Sequence, residues 1–367
     1  MLVEAFDISI AQAGQIVTVF ALTCAISAPI FTTITAAWQR RSVLVTATLI
    51  YLGGAIGTAV AGSFSQIIAA QVVAAIGVGL FIPNASVAAA SLVDPKLRGR
   101  AIAIVISGFA AAVAIGAPLG TALGGIVDWR TTMWFTAGLA VIGLGGVLAF
   151  IPRDLEVPSA GGLRDRMRPL KDRHVLSLLA TTLIGYTAVF VPYTYIGVIY
   201  EPATGGSSIS LAILMLTAGL TGAAGSFIGG YFTDKIGGTR VVTVALLWLG
   251  LGLLLVPLAT TNFAAAMVVV ALYAGPAFAL NAPQQHRLIT ARPDATAVVI
   301  ALNQSVLYLA IAASGLLGAL GIDLLGTRYV SIMAAVLAVL ALGFSIAARR
   351  TSPQPRKPEV IKELVNQ

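Results

Sequence analysis

Runs of twenty or more mostly apolar positions recur along the whole chain, each closed by a short break that carries the charges. A hydrocarbon core about 30 Å thick takes roughly 20 residues of α-helix, so each run has the length of one crossing. The pattern predicts eleven membrane-spanning helices, at 13–37, 43–63, 67–92, 101–127, 131–151, 175–199, 208–233, 241–259, 263–286, 296–322 and 329–348. None of the runs reads as the alternating ten-residue segments of a membrane barrel. A helix satisfies its own backbone groups in lipid, so the expected fold class is an all-α membrane protein.

Composition agrees and removes other classes. Hydrophobic residues make up 58% of the chain and charged residues 10%, with a mean hydropathy of +0.95; soluble domains carry about 25% charge. Of the 22 Lys and Arg residues, all but Arg130 and Arg328 fall in alternate loops. Those loops hold Arg40 and Arg41; Lys96, Arg98 and Arg100; the stretch from Arg153 to Arg173; Lys235 and Arg240; Arg287 and Arg292; and the tail from Arg349. By the positive-inside rule this basic side, with the C-terminus, is cytoplasmic. The net charge of +8 then serves topology and contact with the lipid bilayer. No aromatic-interleaved basic patch points to nucleic acid.

Eleven spans with the C-terminus inside put the N-terminus outside. The opening MLVEAFDISIAQAG carries Glu4 and Asp7 and no basic residue, and nothing precedes it to take it across. The expectation is a missing first helix, with this stretch as the external loop that followed it. The alternative is a chain that starts here and inserts with its N-terminus out, oriented by later charges. A segment rich in charge, Pro and Gly parts five spans from six. The expected organisation is a bundle at 1–151, a cytoplasmic linker at 152–174, a six-span bundle at 175–348 and a cytoplasmic tail at 349–367. TTITAAWQRRSVL follows the first span and GGYFTDKIGGTRVV the seventh, a weak internal repeat of the kind built by two parallel halves.

GGYFTDKIGGTR resembles the G-x-x-x-D-[RK]-x-G-x-x-R gating loop of the major facilitator superfamily, matched at Gly230, Asp234, Lys235, Gly237 and Arg240. Asp234 is placed either to cap the following helix or to pair with a neighbouring cation in one conformation. The first-half copy keeps only Arg40 and Arg41, with Thr32, Ala36 and Gln39 where Gly, Asp and Gly stand in the pattern. GFAAAVAIGAPLGTALGGIVDWR resembles the glycine-proline motif of the drug:proton antiporter members, with Gly116, Pro118, Gly120, Gly124 and Gly125. Gly116, Gly120 and Gly124 are spaced i, i+4, i+8 and share a face on which another helix can pack closely; ordinary small-residue packing is the competing reading.

DISIAQAGQIVTVFALTCAISAPI, GVGLFIPNASVAAASLVDPKLRGRAIAIVISG and LNQSVLYLAIAASGLLGALG are similar to the bacterial arabinose, sugar, purine-nucleoside and chloramphenicol efflux proteins of that family. The resemblance implies the major facilitator fold, two pseudo-symmetric helical bundles with eleven of twelve helices present. It also implies a monomer in the bacterial cytoplasmic (inner) membrane that exports drugs, sugars or nucleosides by proton antiport with alternating access, without a cofactor. Relatives commonly carry an acid in the first helix and an Arg where this chain has Gln71. The span interiors read here contain no Asp, Glu, Lys or Arg, so the residues present do not themselves supply a proton site.

Polar and aromatic positions inside the spans mark a candidate substrate pathway. Tyr186, Phe190 and Tyr193 share a helix face at i, i+4 and i+7. Asn281, Gln284 and Gln285 cluster on another helix, Asn303, Gln304 and Tyr308 on the next, and Gln15, Gln71 and Asn84 come from the first half. Amides in hydrocarbon must line a wet cavity or bond to neighbouring helices. His174, His286 and the single Cys24 form no metal or nucleophile set, and no G-x-x-x-x-G-K-[ST] loop is present. A transporter is therefore expected rather than an enzyme, with an uncoupled, truncated or inactive relative of one as the alternative.

Overall fold

The structure, a computed structural model, describes residues 5–35, 37–94, 97, 101, 104, 105, 108, 109, 111–153, 155 and 168–350. Ala36, Lys96, Arg98, Arg100, most of the expected linker and the tail beyond Arg350 lie outside those residues. The fold is all helix, with no strand among the described residues.

In chain order the helices are α1 (Ile10–Ile34), α2 (Arg40–Ala59), α3 (Phe64–Ser91), α4 (a π-helical turn at Ala112–Gly116 continuing as Ala117–Ile126) and α5 (Trp129–Phe150). The second half holds α6 (Arg173–Thr194), α7 (Ser208–Ile236), α8 (Gly238–Ala259), α9 (Phe263–Ala279), α10 (Asn281–Ala291), α11 (Thr296–Leu325) and α12 (Val330–Arg350). Ten helical stretches are long and apolar enough to cross a membrane, α9 and α10 counting as one, and Ala112–Ile126 is a shorter apolar helix. The described part of the expected 101–127 span is thus mainly its second half.

Two sequence expectations need correction. The span expected at 263–286 is broken at Leu280 and runs on to Ala291; Pro283 has no N–H to offer the carbonyl of Ala279, so the helical ladder is interrupted there. Arg40 and Arg287, expected in loops, belong to helices and are buried, 6% and 8% exposed.

The halves repeat one plan. Within each, α1 packs on α3 as α7 packs on α9, α2 on α3 as α8 on α9 and α10, and α2 on α5 as α8 on α12. Small residues make these approaches possible: Gly54 and Gly77 bring α2 and α3 together at Ala74 and Tyr51, while Gly225 and Gly229 bring α7 against Gly275 and Ala279. Ser9 and Ser207 cap α1 and α7 alike, each accepting from the N–H three residues on. Helix α6, packed on α11 and α12, has no counterpart in the first half among the described residues. It is the most buried span, with 72% of its apolar stretch buried against 17% for α5. The main core accordingly lies in the second half, around Phe190, Leu249, Leu253 and Tyr273.

Candidate functional site

The second half holds a continuous buried polar network, anchored at the end of the molecule that carries the basic loops. The Gln284 amide donates to the Leu178 carbonyl at 2.6 Å and to the Thr182 hydroxyl at 3.1 Å. Thr182 in turn donates to Asn303 Oδ1 at 2.8 Å. Arg287 donates to Gln284 Oε1 at 3.0 Å and to the hydroxyl and carbonyl of Ser345 at 3.0 and 3.3 Å. The network thus joins α6, α10, α11 and α12. In a bilayer each interhelical hydrogen bond contributes about 0.6 kcal/mol on average. The larger effect is avoided loss, because an amide left unpaired in the interior costs about 1–3 kcal/mol.

The structure separates the sequence-predicted pathway residues into groups. Gln284 and Asn303 belong to this network. Gln285 donates instead to Asn281 on its own helix, at 2.8 Å. Tyr186, Phe190 and Tyr193 do share a face, with ring centroids 6.3 and 6.2 Å apart. They belong to the second half's core and its margin, with Tyr186 and Phe190 buried. A small cavity beside Tyr186, Thr182 and Gln284 links the aromatic face to the polar network. Tyr308 packs against Cys24 and Ala75 at the junction of the halves, and Gln304 lies one helical turn before it.

In the first half, Asn84 accepts from Arg40 at 2.9 Å and donates to the Leu80 carbonyl at 2.7 Å. Gln71 donates to the Thr58 hydroxyl at 3.2 Å, tying α3 to α2, and Gln15 is exposed. Sequence reasoning missed Arg40 and Arg287 as interior groups, because a basic residue at a span end reads first as a topology signal.

The contacts described between the halves gather at the charge-poor end and the midplane. The Thr18 hydroxyl donates to the Ala312 carbonyl at 3.1 Å, and Gly315 lies against Thr18 and Gly14. The Tyr195 hydroxyl donates to the Gly315 carbonyl at 2.6 Å and rests against Gly14. On the other side of the molecule Gly125 faces Ser208, Thr121 donates to Met215 Sδ at 3.2 Å, and Gly219 meets the backbone of Ala114.

At the basic end Asp234, Lys235, Gly237 and Arg240 of the second-half gating loop are exposed. Helix α7 runs through Gly230, Asp234 and Lys235 to Ile236, and Gly237 turns the chain with φ +84°, a conformation that glycine reaches without strain. Asp234 is exposed and caps no helix. The Lys235 ammonium lies 4.4 Å from the Tyr231 ring centroid, and Arg240 is exposed. Arg41 donates to the Leu148 carbonyl at 2.7 Å, holding α2 to α5.

The antiporter-motif glycines divide. Gly125 packs on α7, whereas Gly116, Gly120 and Gly124 line a cavity of about 970 Å³ that reaches from Tyr51 of α2 and Phe81 of α3 past Thr136 of α5 to Leu211 and Met215 of α7 in the second half. Pro118 is buried within α4.

A helical bundle of two repeated halves, joined at one end and carrying buried polar links between its spans, defines a polytopic membrane transporter rather than an enzyme. The family model described as Major Facilitator Superfamily matches residues 1–314 and, in a second match, 178–366. The chain belongs to that superfamily. The uncharacterized MFS-type transporter YbcL of Bacillus subtilis (strain 168) is 28% identical over 340 residues, covering 91% of this chain and 86% of the relative. The inner membrane transport protein YdhP of Escherichia coli O157:H7 is 28% identical over 353 residues, covering 95% and 89%. Among solved structures, a bacterial homolog of the human lysosomal transporter Spinster, inward-facing and unoccupied, superposes with a TM-score of 0.73 at 18% identity, covering 96% of this chain and 91% of its own. The human organic anion transporter MFSD10 (TETRAN) superposes with a TM-score of 0.68 at 21% identity, covering 91% and 83%.

Proposed function

We propose that the protein is a secondary active exporter of the drug:proton antiporter branch, moving a drug, sugar or nucleoside out through the cytoplasmic membrane as a monomer. The basic end is its cytoplasmic face, with the C-terminus inside. The observation that carries the reading is the placement of the joints between halves. Thr18–Ala312, Gly315–Gly14 and Gly125–Ser208 tie the charge-poor end together, while Asp234 and Arg240 stand free in solvent at the other end. A transporter closed outside and open inside is the state that loads cytoplasmic substrate. Breaking the outer joints while engaging the basic-end loop completes alternating access.

The test is efflux of chloramphenicol, arabinose and purine nucleosides from cells expressing the chain, with and without a protonophore. Export abolished by the protonophore supports antiport. Export that ignores it favours the second reading, an uncoupled facilitator. That reading has its own observation: among the described residues no Asp or Glu is buried, and a proton carrier in a span needs such a group. No export of any of the three compounds removes the substrate assignment.

A further inference from the structure

We propose that the corner where the basic ends of α8, α10 and α12 meet is a binding site for one anionic phospholipid, its phosphate held by Arg287 and Arg349. Arg287 is buried, and it donates to Gln284 Oε1 and to the hydroxyl and carbonyl of Ser345. These acceptors are all neutral. No carboxylate among the described residues lies within 4.0 Å of the guanidinium, and its Nε donates to none of their atoms. A buried charge without a counter-ion is costly. A phosphate oxygen offsets that cost through a charge-assisted hydrogen bond.

A second cation stands beside the first. Arg349 lies one helical turn beyond Ser345 on α12 and is exposed. Its guanidinium is held in place by α8, donating to the Thr239 carbonyl at 3.4 Å and to the Thr243 hydroxyl at 2.7 Å. Thr239 follows Gly238, and a Cβ at Gly238 would stand 3.3 Å from Arg287 Cγ. The two guanidiniums therefore share one corner of the bundle, where their charges repel each other. Like charges gathered by neutral acceptors leave a place for an anion between them, and the planar donor fork of arginine matches phosphate. Helix α8 adds charge of the same sign. It begins at Gly237 and Gly238 with no side-chain cap, so its first turn brings unpaired N–H groups and partial positive charge to this corner.

The surface next to the cations favours a lipid over a free phosphate. Leu247 and Leu251 continue the α8 face of Thr243 at i+4 and i+8, and Leu340 and Phe344 precede Arg349 on α12; all four are exposed. From Thr243 to Leu251 the helix rises about 12 Å, so an acyl chain can lie along apolar side chains while its phosphate stays at the arginines. Inorganic phosphate carries the same charge and gains nothing from that strip. Basic pockets between membrane helices are the usual seats of anionic headgroups.

Native mass spectrometry of the detergent-solubilised full chain tests the site without any transport measurement, so its failure is separate from failure of the export reading. The probes are phosphatidylglycerol, phosphatidylcholine with the same acyl chains, and inorganic phosphate. The unaltered protein should retain one phosphatidylglycerol about fivefold or more over phosphatidylcholine, since each arginine at an anionic surface is worth about fivefold in binding. Arg349→Gln should lose that preference. Arg173→Gln, which removes an exposed charge at the same end of the molecule on α6, should keep it. Arg287→Gln should also lose the preference, but it opens the polar network as well, so the exposed Arg349 carries the test. Equal retention of the two lipids, or equal loss in Arg349→Gln and Arg173→Gln, would overturn the proposal. Displacement of phosphatidylglycerol by inorganic phosphate at equal concentration would overturn the lipid as the source and leave a site for free phosphate.

Discussion

The joint between α1 and α11 should set the conformational equilibrium, and Gly315→Ala tests it. A Cβ at position 315 would stand 3.0 Å from the Gly14 carbonyl oxygen and 3.4 Å from the Thr18 nitrogen, and would press on the Thr18 hydroxyl that bonds Ala312. Neither backbone atom can swing aside as a flexible side chain can. Overpacking of this kind costs about 1–3 kcal/mol, and it falls only on the state in which α1 and α11 touch. The gain in helix propensity from Gly to Ala, about 1 kcal/mol, is common to both states and cancels. The expected shift away from the closed charge-poor end is therefore about 5- to 150-fold. Spin labels at Ser65→Cys and Thr261→Cys, in a Cys24→Ser background, report the separation of the halves at that end. The distance distribution should move to longer values in Gly315→Ala and stay unchanged in Gly143→Ala, where nothing lies within 4 Å of the added methyl. A folded Gly315→Ala protein with an unaltered distribution would refute the reasoning.

Other outcomes follow from the same geometry. Thr182→Val and Asn303→Leu, combined in a double-mutant cycle of thermal or denaturant stability, should show a coupling of about 0.6 kcal/mol, the average for interhelical hydrogen bonds in membranes, and no more than about 1.7 kcal/mol; additivity would mean that their 2.8 Å contact contributes nothing. Gln284→Leu should cost about 1–3 kcal/mol, since Arg287 and Thr182 both lose a partner in the interior, and a stability loss below 0.5 kcal/mol, about the surface-substitution level, would contradict the network. Asp234→Asn should leave the melting temperature unchanged because the carboxylate is exposed here, yet slow efflux by impairing the opposite state; normal efflux would remove the loop from the gating cycle. Trp129→Ala should release the chain ahead of α1, seen as faster proteolysis near Phe6, because the ring contact to Phe6 is lost.

Much of this molecule is legible before any coordinates. Span length and charge placement are properties of the chain against its solvent, so the apolar runs are helical wherever they are described, with one of them broken at Leu280. The period of the small residues also carried information: Gly116, Gly120 and Gly124 share a face as their spacing requires. The amide positions were legible as residues that need partners, because hydrocarbon supplies none.

The identity of those partners was decided in three dimensions. Gln284 bonds across to α6 while Gln285, one residue later, turns back on Asn281, a difference set by a 100° step around a helix and by which neighbour stands there. Arg40 and Arg287 look like charges at span ends, yet packing buries both, with Asn84 in one case and Gln284 and Ser345 in the other. The aromatic face at Tyr186 and Phe190 was predicted correctly as a face, but only the fold could show that it packs into the second half's core. Sequence alone determined which segments must be helices and which side groups must be satisfied, since both follow from transfer between water and lipid. Tertiary structure alone decided which end of the halves is joined and which helix each glycine meets, because these depend on the pairing of distant segments and no local pattern encodes it.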